Sequence, residues 1–283
     1  PMHKVIEPIG ESKSDYEIFS EIASKLNFKD KFTEGKDEDK WLRHIWDEAR
    51  SKAKDEGFTL PEFDKFWKNG FQEVLSPKKQ TILLENFRKD PQKNPISTPS
   101  GKIEIFSETV DSFNYQDCPG HPTWLEQKEW LGSNLTKQYP LQLISGQPHN
   151  RLHSQLDNGS ESQNYKILGR EPIKIHLQDA QSRGLINGDI VEVFNKRGKC
   201  LAGVIISNEV MKGVVFLAVG AWYDPINDGE FCIHGNPNVL TEDIGTSSLA
   251  QGPSAHSTLV EIKKYTKELP EINIFHKPNI VNK

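Results

Sequence analysis

The chain has 283 residues, 35% of them hydrophobic, and its 35 basic and 40 acidic side chains leave a net charge of −5. That length suits one large domain or two ordinary ones and allows a substantial buried core. The interleaved charges give no electrostatic footprint for nucleic acid or an anionic membrane, and no apolar run nears the roughly 20 residues of a membrane-spanning helix.

The opening PMHKVIEPIG reads as a short apolar, strand-like piece, of the kind expected inside a longer protein, so the lack of a targeting segment here is uninformative. Ser14 and, three residues on, Glu17 form a capping-box signature. Tyr16, Ile18, Phe19, Ile22, Ala23 and Leu26 then fall mainly on one helical face. A second helix is expected from Glu38 through Lys54, with Trp41, Leu42, Ile45, Trp46 and Ala49 at helical spacing and Gly57 as its stop. A third starts near Pro61 with Phe63, Phe66 and Trp67 on its buried side. Residues 76–102 are broken by Pro77, Pro91, Pro95 and Pro99. Ser100-Gly101 turns into KIEIFSE, where Ile103 and Ile105 alternate as in a strand, and DCPGHPTW at 117–124 reads as an ordered loop. The polar tract from Gly132 to Tyr139 is the expected domain boundary.

Beyond Tyr139 the pattern changes to short β segments at 141–145, 173–177, 189–195, 201–207, 214–219 and 258–265. Lys196-Arg197-Gly198 makes a tight hairpin between two of them, and Gln178 to Arg183 form one or two helical turns closed by Gly184. Six short strands with such a crossover fit a small closed barrel better than an open sheet. The last dozen residues read as a tail.

Most chemical signatures are absent: there is no phosphate-binding GxxxxGK[ST], no GxGxxG and no GxSxG. That leaves a hydrolase with a hidden triad without a nucleophile motif. His149 and His153 have the spacing of a helical zinc pair, but Pro148 and the polar flanks argue against a helix there. Cys118, Cys200 and Cys232 are far apart and form no CxxC pair, as unpaired packing residues would be. What stands out is three polar stretches between strands: SGQPHNRLHSQ at 145–155, GAWYDP at 220–225 and HGNPNVLTEDIGTSSLAQGPSAH at 234–256. Their Asn, Gln, Ser and His side chains and glycines suit ligand-binding loops at a barrel end, though they could equally serve only as turns.

These three stretches, together with GREPIKIHLQDAQSRGLINGDIVEVFNKRGKCLAG, resemble the C-terminal cofactor-binding domain of the dimethyl sulfoxide reductase family, in the subgroup of trimethylamine N-oxide and biotin sulfoxide reductases. GESKSDYEIFSEIA, FTEGKDEDKWL and TPSGKIEIFSETV with CPGHPTW are similar to the same subgroup, so the resemblance spans nearly the whole chain. It implies an α+β chain: residues 1–136 a mainly helical remnant of the catalytic α/β region, 137–270 a double-psi β-barrel binding molybdopterin dinucleotide, and 271–283 a tail. It also implies a pair of molybdopterin guanine dinucleotides holding molybdenum in the parent enzyme.

By motif, the resemblance assigns cofactor contacts to Ser145, Gly146 and Gln147, to His153, Ser154 and Gln155, and to Asn238 and Gln251, with Trp222 walling the access route. The implied reaction is oxygen-atom transfer from a small S-oxide or N-oxide, with a donor such as a c-type cytochrome and a periplasmic location by likeness to N-oxide reductases, or a cytoplasmic one by likeness to the biotin sulfoxide relatives. The protein ligand to molybdenum is expected in sequence outside this chain, so no serine here is given that role, and the fragment alone is expected to be inactive. A different class of reading is a stand-alone ligand-binding or scaffold barrel, since fold alone does not fix function.

Overall fold

The computed structural model describes residues 1–74, 82–226, 229 and 231–277. Pro77 and residues 278–283 of the expected tail thus lie outside the described residues. The chain forms two compact units, Pro1–Pro95 and Ile96–Lys283.

The first unit carries α1 (Asp15–Lys25), α2 (Lys29–Thr33), α3 (Glu38–Asp55), α4 (Phe63–Asn69) and α5 (Glu85–Lys89). Both halves of the capping box form: the Glu17 amide donates to Ser14 Oγ at 3.2 Å and the Ser14 amide to the Glu17 carboxylate at 2.9 Å. Asp37 caps α3 through a single bond, its carboxylate accepting the Lys40 amide at 2.9 Å. Trp46 stacks on Phe66 with ring centroids 3.7 Å apart, and Phe63 stacks on Trp67. Burial is the surprise. Of the six residues on the apolar face of α1 only Ala23 is buried, Phe19 is 56% exposed, and α3 buries no residue.

In the second unit the strand expected at KIEIFSE does not form. Ile103 and Ile105 are exposed in irregular chain, and Ser107 instead caps a short helix, α6 (Glu108–Asp111). Alternation makes a strand only where a neighbouring edge supplies hydrogen bonds and an apolar face to cover, and this segment meets neither.

The barrel is built from β1 (Leu141–Ile144), α7 (Ser160–Tyr165), β2 (Pro172–Ile175), α8 (Leu177–Gln181), β3 (Ile190–Phe194), β4 (Lys199–Ile206), β5 (Val214–Leu217), β6 (Pro225–Ile226), β7 (Phe231–Cys232) and β8 (Leu259–Lys264). All six expected strands are present. Their order β2-β5-β1-β8-β3-β4 closes because β4 also pairs with β2. The pairs β1–β5 and β2–β4 are parallel and the rest of the ring is antiparallel, the mixed closed arrangement of a double-psi barrel. Closure removes free sheet edges. The inward side chains, among them Leu143, Ile173, Ile175, Val191, Val193, Val204, Val215 and Leu217, have at most 1% exposure.

Two local details go beyond the sequence pattern. Strand β2 stops at Ile175 because His176 caps α8, its Nδ1 accepting from the Gln178 amide at 3.2 Å. The β6–β7 pair adds to β4, which sets Cys200 and Cys232 side by side in register; both are buried free thiols. The Lys196-Arg197-Gly198 hairpin forms as expected. Its Arg197 makes a bidentate pair with Glu129 at 2.6 and 2.9 Å, and Glu129 also accepts the Leu259 amide, tying the segment before the barrel to its wall.

Candidate functional site

The polar stretches follow directly from strand ends. Strand β1 ends at Ile144 and Ser145-Gly146-Gln147 continue from it; β5 ends at Leu217 and leads to Gly220-Ala221-Trp222. The Val219 amide donates to the Gly146 carbonyl at 3.0 Å, so the two loops leave the barrel together. A side chain at Gly220 (φ +91°) would place its Cβ 1.7 Å from the His153 carbonyl oxygen, so only glycine permits that approach. His153 and Leu156 hold positive φ of 49° and 62°, which non-glycine residues seldom adopt. Trp222 crosses the gap, its indole N–H donating to the Ser154 carbonyl at 2.7 Å.

Between these loops lies a cleft of about 820 Å³. Ser145, Gly146, Gln147, His153, Ser154, Trp222 and Asn238 all line it, so seven of the nine residues proposed from sequence share one cavity. Gln155 and Gln251 are not among its lining residues. The Gln155 amide closes a turn onto the Leu152 carbonyl, and the Gln251 side chain donates to the Ser247 carbonyl of its own loop at 2.8 Å. Asn236 and His256 also line the cleft and were not singled out in the sequence, although both fall within the third polar stretch. His256 Nδ1 accepts the Ser145 amide at 3.3 Å, a contact between residues 111 apart in sequence that no local pattern reveals.

Among the described residues, none that lines the cleft is Lys, Arg, Asp or Glu. The walls offer hydroxyl, amide, imidazole and backbone groups, a donor set for a polar ligand bound through hydrogen bonds rather than charge. Ser145 Oγ is buried and has no hydrogen-bond partner among the described residues. A smaller cavity of about 300 Å³ shares Gln147 with the cleft and is lined by Pro148, Tyr165 and Phe216; there both amide atoms of Asn150 are buried and have no partner among the described residues. Among the described residues no cluster of three or more His, Cys, Asp and Glu could hold a metal ion.

Behind the cleft wall lies a group of side chains almost wholly shut off from solvent: Arg151, Asp157, Lys166, Glu171 and His234. Lys166 Nζ lies 2.8 Å from Asp157 and 2.9 Å from Glu171, and Arg151 lies 3.0 Å from Glu171. Burial pushes the Asp157 carboxyl up, but the hydrogen bonds from Lys166 and the Trp222 amide outweigh it and hold the group below the ordinary carboxylate range. Burial, assisted by Lys166, pushes the His234 imidazole down, so it stays neutral. Its Nδ1 faces the Trp222 carbonyl at 2.9 Å; since a carbonyl only accepts, the ring proton sits on Nδ1.

Residues 141–259 match the model of the molydopterin dinucleotide binding domain. The chain is 44% identical to a trimethylamine-N-oxide reductase of Haemophilus influenzae over 99% of its own length and 35% of that protein's. It is 46% identical to trimethylamine-N-oxide reductase 1 of Escherichia coli K12, covering 96% of this chain and 32% of the relative. It is 43% identical to the dimethyl sulfoxide/trimethylamine N-oxide reductase of Rhodobacter capsulatus, covering 94% and 33%. The chain thus spans about a third of the length of these relatives. Acetylene hydratase from Pelobacter acetylenicus superimposes with a TM-score of 0.68 over 93% of this chain and 34% of that one; at 19% identity the likeness is one of fold.

Proposed function

We propose, from the premise that this chain belongs to the family of the trimethylamine-N-oxide and dimethyl sulfoxide/trimethylamine N-oxide reductases, that its barrel holds one side of a molybdopterin guanine dinucleotide pair in a larger S-oxide or N-oxide reductase. The observation that carries this reading is the convergence of six polar or glycine positions and Trp222, from loops far apart in sequence, on one cleft whose described lining holds no Lys, Arg, Asp or Glu.

The residues present fit the group. A pterin edge displays alternating donors and acceptors, and the cleft answers with the amides of Gln147 and Asn238, the imidazoles of His153 and His256, and the buried hydroxyl of Ser145, unpartnered among the described residues. Gly146 leaves room beside the Phe216 ring, where an added Cβ would lie only 2.9 Å away. When bound, the molybdenum dithiolene group supplies the oxygen-atom transfer itself. The work of this chain is to bind and orient that group and to keep water from one of its faces. Trp222, bonded through its indole to Ser154, forms a wall of the cleft and takes the role of bounding access.

For the whole protein the substrate is a small N-oxide or S-oxide, such as trimethylamine N-oxide or biotin sulfoxide. Its setting is anaerobic respiration in the periplasm, with electrons from a c-type cytochrome. This part of the reading rests on likeness to N-oxide reductases. The chain spans about a third of the length of its relatives, and this reading assigns the protein ligand of the metal to the remainder of the larger protein.

The test is molybdenum and pterin content per full-length protein after Gln147→Ala, His153→Ala and Asn238→Ala. Each substitution should lower both, because a ligand group that loses its hydrogen-bond partner costs about 1–3 kcal/mol. Normal content and turnover in all three variants would overturn the assignment.

A further inference from the structure

Three backbone groups that shape the cleft are held from behind by charged side chains. Arg151 Nη2 donates to the Val219 carbonyl at 2.7 Å and its Nε to the His153 carbonyl at 3.2 Å. Asp157 Oδ2 accepts the Trp222 amide at 2.8 Å. His153, Val219 and Trp222 all line the cleft. The 145–155 and 219–224 loops are therefore joined through one guanidinium and one carboxylate.

The other two charges have different neighbours. Among the described residues, Lys166 reaches only the carboxylates of Asp157 and Glu171. Glu171 receives the side chains of Arg151 and Lys166, and its carboxylate takes no backbone amide from either cleft loop. With neutral His234, the two cations and two anions sum to zero. A buried group of this kind is tolerable only while balanced.

We propose that Arg151 and Asp157 are positioning residues, which fix the backbone of both cleft loops before any ligand arrives, and that Lys166 and Glu171 are their counter-charges. The backbone itself argues for an imposed geometry. His153 sits at φ +49° and packs its carbonyl against Gly220, where no other residue fits. Such strain persists only where surrounding contacts hold it in place. The guanidinium of Arg151 bonds the carbonyls on both sides of that contact, at His153 and at Val219.

This assignment rests on the cleft being the cofactor site, so its test reads the loops both without and with the cofactor. Two charge-balanced double variants of the full-length protein are compared: Arg151→Met/Asp157→Leu, which removes the loop contacts, and Lys166→Met/Glu171→Gln, which leaves them. In protein from cells unable to make molybdopterin, amide exchange over 145–155 and 219–223 should accelerate about tenfold in the first pair and stay near wild type in the second. In cofactor-replete cells, molybdenum per protein should fall about tenfold in the first pair only, the range seen when groups supporting a ligand shell are lost. Arg151→Lys keeps the charge but shortens the reach, and should give the same exchange signature in a protein that melts near wild type. This variant keeps the test open if the first pair does not fold.

Equal acceleration in both pairs, or protected loops in Arg151→Lys and in the first pair, would overturn the proposal. A wild-type protein without molybdenum or pterin would instead refute the function proposed above, and the exchange comparison would still decide the role of Arg151 and Asp157.

Discussion

The helical first unit and the barrel solve the burial problem in opposite ways. In Pro1–Pro95 the only buried apolar side chains among the described residues are those of Ala23 and Phe63, and α3, the longest helix, buries none. In the barrel a closed ring of strands shuts more than a dozen aliphatic side chains away from water, and beside them it hides four charges and a histidine. The helices of the first unit are well capped and carry aromatic stacks, but their apolar faces are left largely exposed. Local signals are enough to start and stop a helix; burying its apolar face takes a covering surface, which the barrel finds within itself.

The largest effect should come from unbalancing the barrel's buried charges. Lys166→Met leaves Asp157 and Glu171 facing Arg151 alone, and should destabilise the barrel by about 3–5 kcal/mol in denaturant unfolding. A loss under about 1 kcal/mol would show that water reaches the cluster, and the two units would then differ less than their burial suggests.

Next in size is a matched pair of truncations. Ile173→Ala, in the fully buried ring, should cost about 2–5 kcal/mol, whereas Leu42→Ala, 44% exposed on α3, should change stability by no more than about 0.5 kcal/mol. Comparable losses in both would mean that α3 is covered in the intact protein.

The gentlest test is acidification. The His234 pKa lies below its ordinary 6.5 in the fold, so the unfolded chain takes up that proton first and stability falls as pH drops below 6.5. Asp157 and Glu129 are held below their ordinary 3.8 and 4.5, so the stability they contribute is complete above those values and is lost at still lower pH. Lys166, Arg151, Ser162 and the Trp222 amide surround Asp157 and keep it ionised. The unfolding free energy of the barrel in denaturant should therefore fall in two stages on acidification, and His234→Gln should remove the upper stage.

Much of the architecture was written in local pattern. The capping box at Ser14 and Glu17 and the hairpin at Lys196-Arg197-Gly198 depend on neighbours within a few residues, the six strands announce themselves by their apolar segments, and each formed. KIEIFSE shows the limit: the alternation was there, but no edge was available to pair with it. The polar stretches were visible as loops, and seven of the nine chosen positions share the cleft.

The sequence by itself determined most of the secondary structure and the polar character of the barrel's end loops, because periodicity and turn chemistry act over short range. Only the tertiary structure decided that His256 and Asn236 join the cleft while Gln155 and Gln251 do not line it. It alone set Arg151, Asp157, Lys166 and Glu171 against one another. Which polar side chains share a cavity depends on where distant strands end, and a buried charge is tolerable only beside partners that closure of the ring brings together.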